Sequence, residues 1–310
     1  MVSGLETALN EITLVLFTTM APAGTFALMI MGAFALKGGG LREEARAALD
    51  RYTCVPLVIA LVGLVASATH LGNPANALYV LVGVGRSPLS NEVVAGVVFF
   101  GVAGIYWLTA FSERPNLSLR RAALVLIEVT GALFVTAIAF AYDAETILTW
   151  RTVYVPAALW LNALVAGPII ASLSLYLARY PFPSTLVRSF LPAFSVLACV
   201  VNAVVYVLQG IDLRGLENSL TSAAQQAPGF LASVPVFVVL SLLAAVIAFA
   251  ALRGDAAFLA RSSRISVDGV PAHRRRIVAM LVLASLLALS AVFVMRFHFY
   301  TLHMTVGLGV

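Results

Sequence analysis

The sequence predicts an all-α polytopic membrane protein of eight transmembrane helices, and three observations predict it. Of the 310 residues, 61% are hydrophobic and 11% charged, and the mean hydropathy is +1.00, outside the range of soluble domains. Eight apolar stretches, at about 11–36, 54–70, 88–111, 122–142, 153–178, 189–209, 230–252 and 277–296, are long enough to cross a hydrocarbon core of about 30 Å as helices. These runs are continuous and do not alternate with period 2, which excludes a porin-like barrel. Helix is the form that satisfies the backbone within lipid.

The first stretch is too long for the core of a signal peptide, and Met1–Glu6 carries no Lys or Arg, so it reads as an uncleaved span. Basic residues follow the odd-numbered spans. Lys37, Arg42, Arg46 and Arg51 follow the first, Arg114, Arg120 and Arg121 the third, Arg179 and Arg188 the fifth. Arg253, Arg261, Arg264, Arg274, Arg275 and Arg276 follow the seventh. That side holds 15 of the 19 basic residues; Arg86, Arg151, Arg214 and Arg296 hold the other. A missed span would scramble this alternation. The positive-inside rule makes the rich side cytoplasmic and the protein N-out/C-out, in a bacterium with both ends in the periplasm. The net charge of +5 is therefore a membrane signature, and the Arg-rich loop near His273 reads as an interfacial belt and not a nucleic-acid site.

The protein forms a single membrane domain over residues 1–310, without a convincing repeat. Its outer loop at about 210–229 is either a cover for the outer mouth or a plain connector. Cys54 and Cys199 fall at different depths with no CxxC, which gives the protein no iron–sulfur cluster of its own.

The most specific feature is the polar segment His70-Leu71-Gly72-Asn73-Pro74 through Gly85-Arg86-Ser87-Pro88-Leu89-Ser90-Asn91-Glu92. Ser87 reads as an N-cap with Pro88 at the first helical position. Residues 75–82 are too short to span and read as an interfacial or re-entrant helix begun by Pro74 and ended by Gly83 and Gly85. His70 ends one span and Glu92 opens the next at the same face. An acidic group costs about 2.5–3.5 kcal/mol at mid-bilayer and less near an interface, so it tends to have a reason. With a histidine that titrates near neutrality it suits proton exchange with a quinol. A structural His–Glu pair explains the same residues equally well.

Arg296, Tyr300 and His303 fall at i, i+4 and i+7 of the last span and read either as a second wall of that site or as an aromatic belt with a snorkelling Arg. Glu128 in span four reads as a proton relay or as half of an ion pair. Asn162, Asn202 and Gln209 read as helix glue. Asp143, Glu145, Trp150 and Arg151 form an outer-face cluster. No His lies mid-span: His70, His298 and His303 gather at one face, which does not support stacked haems.

In the two-part segment the sequence resembles the DmsC family, the membrane anchor subunits of dimethyl sulfoxide reductase-type molybdoenzymes. That family's pattern reads HLG-x-P and, about a dozen residues on, G-x-S-x-x-SNE. Leu36-Lys37-Gly38 and Phe299-Tyr300-x-Leu302-His303-Met304 are similar too. Asn73 stands where other members often carry Ser. The resemblance implies a haem-free anchor that oxidises menaquinol near the outer face. Electrons would pass to a four-cluster iron–sulfur, ferredoxin-like subunit docked there and on to a molybdopterin catalytic subunit in anaerobic respiration. His70 and Glu92 would be the working pair. Gly72, Asn73, Pro74, Arg86, Ser87, Ser90, Asn91, Arg296, Tyr300 and His303 would line the quinol site. Two alternatives stand beside this reading. A secondary transporter would place its polar groups at broken helices mid-membrane, and a haem-bearing quinol cytochrome would need facing histidines.

Overall fold

The computed structural model describes residues 4–38, 40–70, 74–112, 116–218, 221–261 and 269–305. Its spans are α2 (Ile12–Lys37), α3 (Glu43–Tyr52) continued by α4 (Cys54–Ala68), α5 (Pro88–Thr109), α6 (Leu117–Ala141), α7 (Tyr154–Leu177), α8 (Thr185–Asp212), α10 (Phe230–Arg261) and α11 (Gly269–Thr301). Among the described residues eight helices, as expected, are long and apolar enough to cross a membrane. Two short helices, α1 (Gly4–Asn10) and α9 (Ala223–Gln226), lie at one end, and a 3₁₀ helix covers Pro74–Gly83. We call the two ends of the bundle the His70 end and the Arg-rich end.

The second span begins earlier than its apolar run. Alone, α4 has 15 residues, about 22 Å of helix, short of the hydrocarbon core. Amphipathic α3 supplies the rest. The two meet at Thr53 because Pro56 has no N–H for the carbonyl of Tyr52. The Thr53 hydroxyl donates to the Asp50 carbonyl at 2.6 Å.

Helices α2 and α7 form the centre, with α4, α6, α8 and α11 packed around them and α5 and α10 outside. Small residues let backbones approach. A Cβ on Gly24 would meet the Ala60 nitrogen and Pro56 oxygen of α4 at 2.6 Å, and one on Gly63 would meet the Ala21 nitrogen at 2.8 Å. In lipid this close packing replaces the hydrophobic drive that water would provide.

Polar ties pin the bundle at several depths. At the Arg-rich end, buried Asp50 accepts two bonds from Arg120, at 2.6 and 2.7 Å, and one from the Tyr106 hydroxyl at 2.6 Å. Also there, Asp255 accepts from Arg188 at 2.7 Å and from Tyr176 at 3.1 Å. Deeper in the bundle, Asn162 Oδ1 accepts from Asn202 at 2.8 Å and Tyr206 at 2.9 Å. These asparagines are the helix glue expected of them.

The last span departs most from expectation. It runs to Thr301 and not to about residue 296, so Arg296 lies more than a turn inside it. At 2% exposure Arg296 is buried, not snorkelling. At the His70 end the described part of the 210–229 region packs against the N-terminal helix. A Cβ on Gly4 of α1 would strike the carbonyls of Gln226 and Thr301, and Ser222 caps α9 in a reciprocal capping box with Gln225.

Candidate functional site

The polar segment folds much as its spacing implies, and its polar groups hold the loop itself. Ser87 caps α5, its hydroxyl accepting the Ser90 N–H at 3.4 Å, with Pro88 at the first position. Gly85 sits at φ +81°, the left-handed region that glycine enters without cost. Its N–H donates to Asn91 Oδ1 at 2.7 Å. Ser90 is buried against Gly83, where a Cβ would fall on its hydroxyl. Arg86 points outward, Nη2 donating to the Val82 carbonyl at 3.2 Å. Pro74 opens the 3₁₀ helix. Gly72 and Asn73 lie outside the described residues.

His70 stands on a tight turn at the end of α4, its N–H bonded to the Ser67 carbonyl at 3.0 Å. Among the described residues no ion pair joins it to Glu92. Its Nε2 lies 3.2 Å from Oε2 of Glu11, with the His side chain 42% exposed. That is ion-pair distance without the alignment of a full hydrogen bond. Glu11 precedes α2, so the first and second spans meet through this pair. A histidine beside a carboxylate, half in contact with water, is equipped to pass a proton outward.

Glu92 belongs to a different and drier cluster. It lies one turn inside α5 and is 4% exposed, with Oε2 lacking a hydrogen bond. It is in electrostatic reach of the phenols of Tyr142 and Tyr300. Arg296 lies in the same cluster. Its Nε donates to the Thr18 hydroxyl at 2.9 Å, and Thr18 in turn donates to the Leu14 carbonyl at 2.9 Å. Its guanidinium carbon sits 4.0 Å from the ring centre of Phe299, 5.4 Å from Tyr142 and 5.5 Å from Tyr300. Trp150 stacks on Phe299 at 4.5 Å and donates from Nε1 to its carbonyl at 3.2 Å. The ring faces and Thr18 fix Arg296 while Nη2 has no partner among the described residues. The Tyr300 hydroxyl, beside Tyr142 and Thr18, completes no well-aligned bond.

The site therefore has two tiers on the first span. Glu11 and Thr18 are seven residues apart, about 10 Å along a helix. The upper tier is Glu11–His70; the lower is Glu92, Arg296, Tyr300 and Tyr142. Buried polar atoms without partners are uncommon and costly. Arg296 Nη2, the Tyr300 hydroxyl and Glu92 Oε2 supply two donors and one acceptor in one apolar setting.

His303 is not on the face of Arg296 and Tyr300. The helix ends at Thr301, and the backbone turns to lie along the 147–152 segment. The Leu148 N–H donates to the Met304 carbonyl at 2.9 Å, and Thr149 bonds the Leu302 carbonyl. His303 is exposed, its ring edge against Trp150 at 5.2 Å. Glu128 is also apart. Its Oε1 fills the space beside Gly32 and has no partner among the described residues, 14 residues or about 21 Å along α6 from Tyr142.

Glu11, Thr18 and Tyr142 were not legible as site residues. Glu11 is a carboxylate just before the first span with no motif to mark it. Trp150 lay in the outer-face cluster, and its contact with the last helix is a tertiary fact no local pattern encodes.

Comparison with known proteins matches nearly the whole length of the sequence. The model of the DMSO reductase anchor subunit family (DmsC) matches residues 5–302. The sequence is 33% identical over 305 residues to the YnfH subunit of anaerobic dimethyl sulfoxide reductase of Escherichia coli, covering 97% of this protein and 98% of that one. It is 33% identical over 304 residues to the C subunit of anaerobic dimethyl sulfoxide reductase of the same organism, with the same coverage. With the C subunit of the Haemophilus influenzae anaerobic dimethyl sulfoxide reductase it shares 26% over 306 residues, 99% of both proteins. The chain belongs to the family of DMSO reductase anchor subunits.

Proposed function

We propose that this anchor subunit oxidises menaquinol at the two-tier site and delivers the electrons to a four-cluster iron–sulfur subunit docked at the His70 end. From there they pass to a molybdopterin subunit that reduces the terminal acceptor. The observation that carries this is the lower tier: a caged Arg296, Tyr300 and Glu92, all buried, each with a polar atom that makes no well-aligned hydrogen bond among the described residues.

The residues fit a quinol by donor count. Arg296 Nη2 and the Tyr300 hydroxyl are donors suited to one ring oxygen, and Glu92 is an acceptor suited to a ring hydroxyl. The cage supplies flat apolar walls. His70 takes one proton and hands it to water through Glu11. Glu92 takes the second as two electrons leave singly to the partner. Both protons then leave at the face that receives the electrons, which the positive-inside rule expects to be the periplasmic one. Gly72, Asn73 and Pro74 border His70 in sequence. Ser87, Ser90 and Asn91 act by holding the loop that presents Glu92, and Arg86 and His303 flank the mouth. Glu128 stands outside this exit path.

Quinol-dependent acceptor reduction by the assembled complex tests the reading. General acid–base contributions run to about 100-fold or more, so His70→Arg and Glu92→Lys should each lose at least that much and weaken quinone-analogue binding. If turnover and analogue binding both persist in assembled complexes, the site is elsewhere.

A further inference from the structure

At the opposite end, a groove of about 680 Å³ opens between α2 and α8. Ala33 and Phe34 form one wall and Leu186 and Phe190 the other, with Lys37 and Tyr180 at the Arg-rich rim. Leu186 is 79% exposed, so the groove faces the lipid that surrounds a membrane bundle. Tyr180 also lines an adjoining hollow of about 410 Å³ with Arg179, Arg188, His273 and Arg274.

The charges there are unbalanced. Among the described residues Asp255 is the one carboxylate lining the hollow, and it is taken by Arg188 at 2.7 Å, with His273 at 3.3 Å. Arg274 donates to the Leu177 carbonyl. Lys37 and Arg179 have no side-chain hydrogen bond or ion pair among the described residues. Arg179 also holds an unusual position. The Tyr180 N–H bonds back to the Leu175 carbonyl and the Arg179 N–H to that of Tyr176, both at 3.0–3.1 Å. This is a Schellman end to α7 with Arg179 at φ 53°, where glycine is the usual occupant. A strained backbone thus presents a free cation in the hollow that adjoins the apolar groove at Tyr180.

We propose that this is a bound-lipid site for an anionic glycerophospholipid of the leaflet at the Arg-rich face. Its phosphate lies between Lys37 and Arg179, and an acyl tail follows the groove between α2 and α8. The site is independent of the quinol reading.

Native mass spectrometry of the purified complex tests it, with phosphatidylglycerol and phosphatidylcholine of matched acyl length competing. Each basic contact favours the anionic lipid by about fivefold. The wild type should therefore retain phosphatidylglycerol preferentially, and Lys37→Gln with Arg179→Gly should erase the preference. Because glycine suits the left-handed position, thermal stability should hold or rise in Arg179→Gly, which separates lost binding from lost folding. Ala33→Trp, which fills the groove and keeps the charges, should release the lipid as well. Arg253→Gln, a cation stacked on Phe249 away from the groove, should retain it. Equal retention of the two lipids by the wild type overturns the proposal. So does an undiminished preference in the double variant, displacement of the lipid by millimolar inorganic phosphate, or a lipid-free dimer with a second copy of the protein seated there.

Discussion

Arg296 concentrates the chemistry of the His70 end in one side chain. Three aromatic rings and the Thr18 hydroxyl hold its guanidinium, and Nη2 is left over. Lysine carries the charge without the planar fork, so it would lose the Thr18 bond and the stacking together. Arg296→Lys should lower quinol-dependent turnover by about 100-fold, the scale of removing one preorganised donor, in complexes that assemble normally. Glu11→Gln separates the tiers. It should slow turnover by about 100-fold with quinone-analogue affinity nearly unchanged, because Glu11 meets His70 and not the lower tier. Loss of analogue binding in Glu11→Gln would show the tiers to be one site. At this scale the sequence singled out ionisable groups set among apolar spans, His70, Glu92 and Arg296, as candidates. It was not legible where the role depends on a fold contact. The partner of His70 comes from 59 residues earlier in the sequence, and the cage of Arg296 draws Tyr142 from another helix.

The elements were legible from hydropathy because lipid punishes any break in a span. Their ends were not, because polar residues continue α8, α10 and α11 beyond the apolar runs, and α3 precedes its run. The ties between elements give two stability predictions. Asp50 and Arg120 are a buried bidentate pair, so Asp50→Leu should cost about 3–5 kcal/mol and the Asp50→Leu/Arg120→Leu double variant distinctly less. Thermal unfolding in detergent reads both, and additive losses would refute the pairing. Gly24→Leu forces a side chain into the α4 backbone, where even a Cβ meets atoms at 2.6 Å. It should destabilise by at least about 1–3 kcal/mol, the cost of overpacking a filled core, while Gly101→Leu, at a position with open space, should be near neutral.

As a whole, this is a multi-pass protein of the bacterial inner membrane that anchors a reductase complex. If the basic loops lie in the cytoplasm, as the positive-inside rule expects, the proposed site opens to the periplasm, and the proposed protons and electrons exit on one side. Turnover of the purified complex in liposomes should then generate no membrane potential, and a potential-sensitive dye would report one if protons crossed. The transporter alternative loses its main support at this scale. The prolines within α2 and α7 sit in helices that continue past them. The most direct test of the central claim is equilibrium titration of a fluorescent quinol analogue against membranes carrying the assembled complex, wild type beside Glu92→Gln. If Glu92, Arg296 and Tyr300 form the quinol site, the wild type binds saturably at one site per complex and Glu92→Gln binds at least about tenfold more weakly, a loss of about 1.4 kcal/mol. Unchanged affinity in Glu92→Gln would place the quinol away from the buried cluster and contradict the account.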